Sequence, residues 1–143
     1  MARDRDHPTY PDVVAASRAL RVHADIPADS HAPAEARRVL GPVAALLSHE
    51  VAGALAIVAS ELVTNSIRHS GAGPGTPIEL DASIDDGRVR LSVHDPGDGF
   101  DGGAHAPEPG AVGGWGLQVV EGLVDRWWVE VDDGTRVVCE IAG

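Results

Sequence analysis

Apolar residues recur at two different spacings along this 143-residue chain, and the two spacings predict its strands and helices. Alternation of apolar and polar positions predicts strands at residues 20–26, 78–84, 88–94, 128–132 and 135–141. Spacings of three and four predict helices over residues 32–47, from 48 to about 69, and from about 115 to 127. The predicted order is therefore strand, helix, helix, strand, strand, loop, helix, strand, strand.

Residues with special backbone preferences mark the ends of these elements. Pro33 suits a first helical turn, Gly41-Pro42 is expected to kink or split the first helix, and Ser48 resembles a helix start. Asp85-Asp86-Gly87 and Asp132-Asp133-Gly134 are hairpin signals. Helices that interrupt hairpin-linked strands predict an α+β fold, a two-layer sandwich whose mostly antiparallel sheet is covered by helices on one face.

The composition is that of one globular domain. Hydrophobic residues make up 43% of the chain but aromatic residues only 3%, so the core is expected to consist of Val, Leu, Ile and Ala. Residues 1–18 are polar and contain proline, which predicts a flexible arm ahead of a domain at residues 19–143.

Charge and cysteine content narrow the choice of partners and compartment. The net charge is −11, and all 11 basic residues are Arg, so non-specific nucleic-acid binding is not expected. The charge is compatible with a basic partner protein and also with a role in solubility alone. The single Cys139 cannot form an internal disulfide, no apolar run approaches the roughly 20 residues of a membrane span, and residues 1–12 lack a signal-peptide centre. We therefore expect a soluble cytoplasmic protein.

The second predicted helix carries a line of polar side chains. Glu61, Asn65 and His69 are spaced four apart, so they lie along one helix face. Asn65 offers a neutral oxygen to a hard cation such as Mg²⁺, and Glu61 is a candidate general base. The alternative is a polar face that only meets solvent.

Two glycine-containing segments are further candidates. Asp95-Pro96-Gly97-Asp98-Gly99 follows a predicted strand; it suits close approach to a ligand, with Asp95 accepting a hydrogen bond, but it also suits a plain turn. Glycines 113, 114 and 116 precede or open a predicted helix, where exposed N–H groups attract phosphate, although a hinge has the same composition. The long Gly- and Pro-rich stretch between these segments predicts a functional or mobile loop.

The order and settings of these three segments resemble a known group, the Bergerat-fold (GHKL) ATPases of gyrase, heat-shock chaperones, histidine kinases and mismatch-repair proteins. Within it the chain resembles the stand-alone anti-sigma-factor serine/threonine kinases of actinobacteria. SELVTNSIRHS is similar to their first motif, HDPGDGF to their second, and GGWGLQVVEGLVDRW to their third. The likeness covers about residues 20–142.

The resemblance implies a role for each matching residue. Asn65 would hold Mg²⁺ on the phosphates of ATP, and Glu61 would be the catalytic base. Asp95 would bind the adenine amino group beside Gly97 and Gly99, and residues 100–112 would form a lid. The remaining expected nucleotide contacts are Arg68 and His69 near phosphate or ribose, backbone N–H groups at Gly113, Gly114, Gly116 and Leu117, and Thr135 near adenine.

Two positions depart from the family pattern. The third motif has Trp115 where Arg or another flexible residue is common. A Thr that helps hold adenine is often found two residues after the hairpin glycine, but Arg136 occupies that position here and Thr135 precedes it. Either the strand register shifts by one residue or the adenine contact is different.

Two functions from different classes follow from the resemblance. One is a protein kinase that phosphorylates an anti-anti-sigma (STAS-type) partner and sequesters a sigma factor; the other is an ATP-sensing binding module without appreciable phosphoryl transfer. Glu61 favours the kinase, and a homodimer is expected by resemblance only. Ser48-His49-Glu50 is similar to a phospho-accepting histidine motif, but His49 lies on the same predicted helix as Glu61, which disfavours that role.

Overall fold

Four helices and five strands form in the part of the chain that the computed structural model describes, residues 19–69, 76–95, 115–131 and 133–142. The strands are β1 (Ala19–Ile26), β2 (Ile78–Asp85), β3 (Arg88–Asp95), β4 (Arg126–Val131) and β5 (Thr135–Ala142). The helices are α1 (Ala32–Val39), α2 (Gly41–Ala44), α3 (His49–His69) and α4 (Trp115–Leu123). The predicted order of elements is confirmed, with α2 as the second piece of the split first helix.

The strands form one sheet in the order β1-β2-β3-β5-β4, and every neighbouring pair is antiparallel. The β2–β3 hairpin turns through Asp86 and Gly87, whose φ angles of 57° and 79° suit a two-residue hairpin loop. The expected α+β sandwich with an antiparallel sheet is confirmed.

Alternation along the strands gives the sheet two different faces. One face carries the buried aliphatic residues of the strands, and α3 packs on it across β3 and β5. Leu55, Val58 and Leu62 of α3 recur at helical spacing and lie in this core, which has no Phe or Tyr among its described members. The opposite face carries charged side chains, among them Arg90 and Glu140. A nucleotide site next to α3 is thus confined to the aliphatic face.

The boundary between α4 and β4 differs from the sequence prediction. The predicted helix ran to residue 127 and the predicted strand began at 128, but α4 ends at Leu123 and β4 begins at Arg126. Asp125 explains the difference, because its N–H donates to the Glu140 carbonyl at 2.9 Å and its carboxylate accepts from the Ala142 N–H at 2.6 Å. These bonds bring the chain onto β5 two residues earlier than the apolar pattern indicates.

Helix α3 meets a looser test for a membrane span than the continuous apolar run considered in the sequence. By length and composition it is long and apolar enough to cross a bilayer, with a mean hydropathy of 1.3 over its most apolar window. Many Ala, Val and Leu residues raise this mean, and the charged residue Glu61 lies within the same continuous helix. In the folded chain α3 contacts α1, α4 and the sheet, and its buried residues belong to the core. One face of α3 therefore packs into the core, while 28% of its most apolar window is buried.

Candidate functional site

Helix α3 brings the first two candidate residues together. The helix begins after Ser48, whose Oγ accepts a hydrogen bond from the Val51 N–H at 3.2 Å, as expected of an N-terminal cap. Glu61 and Asn65 then lie one turn apart, and both are half-buried at the border of the core. The polar line predicted from the sequence therefore forms a partly covered edge of the core rather than a fully solvated face.

The Asn65 amide is the least satisfied of these groups. Its Nδ2 atom is buried and has no hydrogen-bond partner. Buried polar groups in folded proteins nearly always have a partner, so an orphan group of this kind calls for an explanation. The amide is available to a polar ligand, and rotation by half a turn about its terminal bond exchanges the donor for a carbonyl oxygen.

Asp95 and Thr135 form a second pair, at one end of the sheet. They are directly opposite each other in the β3–β5 register, so their side chains lie on the same face. Both are buried, with 3% and 7% of their surface exposed. Val93 and Val137 form the neighbouring pair on that face, and Val93 is in the core beneath α3. The side chains of Asp95 and Thr135 therefore lie on the face of the sheet against which α3 packs.

The same register shows on which face of the sheet Arg136 lies. Arg136 is opposite His94, and its side chain lies on the charged face of the sheet. There its guanidinium donates to Ser92 Oγ at 3.3 Å and lies 3.9 Å from the Asp81 carboxylate. The threonine on the α3 side is Thr135, one residue earlier than the family pattern expects.

The third candidate segment is described in part. Helix α4 begins at Trp115, so Gly116 and Leu117 lie in its first turn, where backbone N–H groups have no acceptor within the helix. Helix α4 packs against α3. Gly97, Gly99, Gly113, Gly114 and the expected lid at residues 100–112 lie outside the described residues.

Arg68 and His69 are the last two residues of α3. Arg68 is exposed and borders a groove of about 520 Å³. Pro33 and Ile67 contribute to the largely apolar lining of this groove between the start of α1 and the end of α3. Among the described residues, no other predicted site residue lines it.

The donor set suits a nucleotide. A buried carboxylate and a hydroxyl lie side by side at Asp95 and Thr135, and an unpaired amide and a second carboxylate lie on α3. Asp95 suits an exocyclic amine, and the first turn of α4 suits phosphate. Within residues 19–69, 76–95, 115–131 and 133–142, no three His, Cys, Asp or Glu side chains form a metal-binding group.

The charged face contains residues that the sequence analysis did not single out. Both Glu140 oxygens are engaged, one by Arg90 at 2.6 Å and one by Arg126 at 3.1 Å, and both guanidinium groups lie over the Trp128 ring. The Arg90 hydrogen bond lowers the pKa of Glu140 below its ordinary value. His94, next to Asp95, was not predicted as a functional residue either. The sequence signal for it was its position in a strand whose alternate residues are apolar.

Comparison with known proteins agrees with the fold. The sequence model of one protein family, described as the histidine kinase-like ATPase domain, matches residues 26–140 of this chain. A crystal structure of the RsbU and RsbW domains of Rv1364c from Mycobacterium tuberculosis superposes with a TM-score of 0.66 at 24% identity. That match covers 86% of this chain but 32% of the other, and it shows a shared fold. The curated proteins gave no match. The family match spans both the α3 residues and the Asp95–Thr135 pair, and the chain belongs to the histidine kinase-like ATPase domain family, whose name implies ATP binding.

Proposed function

We propose that this chain binds Mg-ATP between α3, the Asp95–Thr135 pair and the start of α4, and that it is a serine/threonine protein kinase acting on an anti-anti-sigma protein. The unpaired, buried amide of Asn65 is the observation that carries the proposal. A buried group without a partner is costly in the unliganded fold, and a ligand that pairs with it removes that cost.

Each end of the nucleotide has its own group of residues in this proposal. Asp95 accepts a hydrogen bond from the adenine amino group, and the Thr135 hydroxyl lies beside it on the same sheet face. Gly116 and Leu117 offer backbone N–H groups to the phosphates. Arg68 and His69, the last two residues of α3, would contact phosphate or ribose.

Magnesium would be held jointly by protein and nucleotide. Asn65 is the one protein ligand we assign, and Mg²⁺ normally keeps several waters and binds through one or two protein oxygens plus substrate phosphates. When bound, the ion would neutralise charge on the phosphates during transfer. The protein alone is therefore expected to bind Mg²⁺ weakly, and chelation of Mg²⁺ is expected to weaken ATP binding.

Glu61 is assigned to the acceptor hydroxyl. In the proposed reaction a serine or threonine oxygen of the partner forms a bond to the γ-phosphorus of ATP, the bond to the β-phosphate oxygen breaks, and ADP leaves. Glu61 takes the proton that the hydroxyl loses. The partner assignment follows from the motif resemblance, and regulation of a sigma factor would place the protein in the cytoplasm.

Two measurements on the same variants test this proposal. Calorimetry with Mg-ATP is expected to show binding to the wild type and to Glu61→Gln, and loss of metal-dependent binding in Asn65→Ala. Transfer of labelled γ-phosphate to an anti-anti-sigma protein is expected from the wild type alone.

The outcomes separate the two candidate functions. Unchanged, metal-dependent affinity in Asn65→Ala would remove Asn65 from the site. Equal transfer by wild type and Glu61→Gln would remove the base assignment. Binding of Mg-ATP without transfer to any such partner would instead support an ATP-sensing module.

A further inference from the structure

The side chain of His94 in β3 contacts the loop between β4 and β5. His94 precedes Asp95 in β3, so its side chain lies on the charged face while that of Asp95 lies on the α3 face. The His94 ring is buried, and its Nε2 lies 2.9 Å from the backbone carbonyl oxygen of Asp133. Because a carbonyl oxygen can only accept, Nε2 carries the hydrogen and donates it.

The loop that accepts this bond leads directly into Thr135. Val131 pairs with Thr135, so residues 132–134 connect β4 to β5. Asp133 and Gly134 have φ angles of 56° and 105°, in the left-handed region that costs a non-glycine residue such as Asp133 free energy. The Asp133 carbonyl is thus held in a strained loop by a side chain of β3. Displacement of that loop would move Thr135 relative to Asp95.

The other ring nitrogen, Nδ1, lowers the stability of the fold, because it is buried without a hydrogen-bond partner. The nearest carboxylate oxygen, on Glu79, is 3.7 Å away. An apolar side chain of similar size would leave no such atom unsatisfied. The benefit that offsets this cost is the bond from Nε2 to the loop.

We infer that His94 is a positioning residue for recognition of the base. Its hydrogen bond to Asp133 holds the β4–β5 loop so that Thr135 stays directly opposite Asp95. His94 does not contact adenine itself and acts only through Asp95 and Thr135. The inference rests on the proposed function, which assigns Asp95 and Thr135 to the adenine end of the site.

Three substitutions separate the donor from the bulk of the ring. In His94→Gln the side-chain NH₂ can take the place of Nε2–H; in His94→Asn the amide is too short to do so; His94→Leu has no donor. His23→Leu is the matched control, because His23 lies on the same face and its Nδ1 is 2.8 Å from an Asp81 carboxylate oxygen, but it is exposed and far from the loop in β1.

The affinities of two ligands are measured by calorimetry in the presence of Mg²⁺: ATP, and inorganic tripolyphosphate, which has no base. His94→Leu and His94→Asn are expected to bind ATP about tenfold more weakly, equivalent to about 1.4 kcal/mol, with unchanged affinity for tripolyphosphate. His94→Gln and His23→Leu are expected to remain within about threefold of the wild type for both ligands. Circular dichroism shows whether each variant folds. Because Leu and Asn differ in polarity, a folding defect in one variant does not imply a defect in the other, and the folded variant then provides the test.

The inference is overturned if His94→Leu or His94→Asn binds ATP like the wild type, if both ligands weaken equally, or if Gln fails to rescue. Failure of the proposed function has a different signature. In that case the wild type itself would not bind ATP, or would bind it no more tightly than tripolyphosphate, and the inference would fall with it.

Discussion

Replacement of Asn65 by leucine is expected to make the unliganded protein more stable while it abolishes metal-dependent ATP binding. Leucine has the same number of side-chain heavy atoms in the same branched arrangement, so it can occupy the half-buried position on α3. It contains no polar atom, so the unpaired Nδ2 disappears. This result would identify Asn65 as a residue that destabilises the unliganded protein but is required for ATP binding.

The size of the effect follows from two contributions. A buried donor without a partner costs about 1–3 kcal/mol, and leucine is a better helix former than asparagine by a few tenths of a kcal/mol. The free energy of unfolding is therefore expected to rise by about 1–3 kcal/mol. At this chain length each kcal/mol corresponds to about 4 °C in Tm.

Urea denaturation followed by circular dichroism, without nucleotide, measures this difference. Thr64→Val is the matched control, because Thr64 is half-buried on the same helix and none of its side-chain atoms is a buried orphan. It is expected to change stability by less than about 0.5 kcal/mol and to leave ATP binding intact. A destabilised Asn65→Leu, or one that still binds Mg-ATP like the wild type, would refute the reasoning.

Three further predictions concern the fold. Leu62→Ala, at a side chain only 1% exposed, is expected to lower the free energy of unfolding in urea by about 2–5 kcal/mol. Ile57→Ala on the same helix, at a side chain 47% exposed, should lower it by less than about 1 kcal/mol. Equal losses in the two variants would contradict the assigned core face. Because Arg90 lowers the pKa of Glu140 in the folded state, the carboxylate stabilises the fold fully above about pH 5, and this contribution is lost as pH falls through the lowered pKa. Glu140→Gln should therefore be less stable at pH 7 and should show a shallower loss of stability below pH 5; an unchanged pH profile would argue against the ion pairs. Burial raises the pKa of Cys139 to about 12, so the native thiol should resist a disulfide reagent at pH 8 and react fully in urea; rapid native labelling would contradict this.

Much of the fold could be predicted because its signals are local. Alternation along β2 and β3, the Asp86-Gly87 turn and the Ser48 cap each depend on neighbouring residues, and all three appear in the structure. The boundary between α4 and β4 was misplaced because Asp125 bonds to distant β5, which no local pattern reports.

The sequence suggests candidate residues for the site, but their arrangement depends on the fold. The helical spacing of Glu61 and Asn65 follows from sequence alone, whereas the pairing of Asp95 with Thr135 depends on the register between β3 and β5. A one-residue shift would have placed Arg136 there instead. His94 and the Arg90–Glu140–Arg126 cluster were missed because their partners lie 39 or more positions away, or across neighbouring strands.

The central claim is that separated segments of the chain contribute to one nucleotide site. A titration with Mg-ATP, followed by the backbone amide resonances of the protein, tests it most directly. We expect the resonances of Asn65, Asp95, Thr135 and Gly116 to move along a single binding curve, while that of Arg90 on the charged face stays in place. Unmoved resonances at Asn65 and Asp95, or separate binding curves for the two, would contradict a shared site.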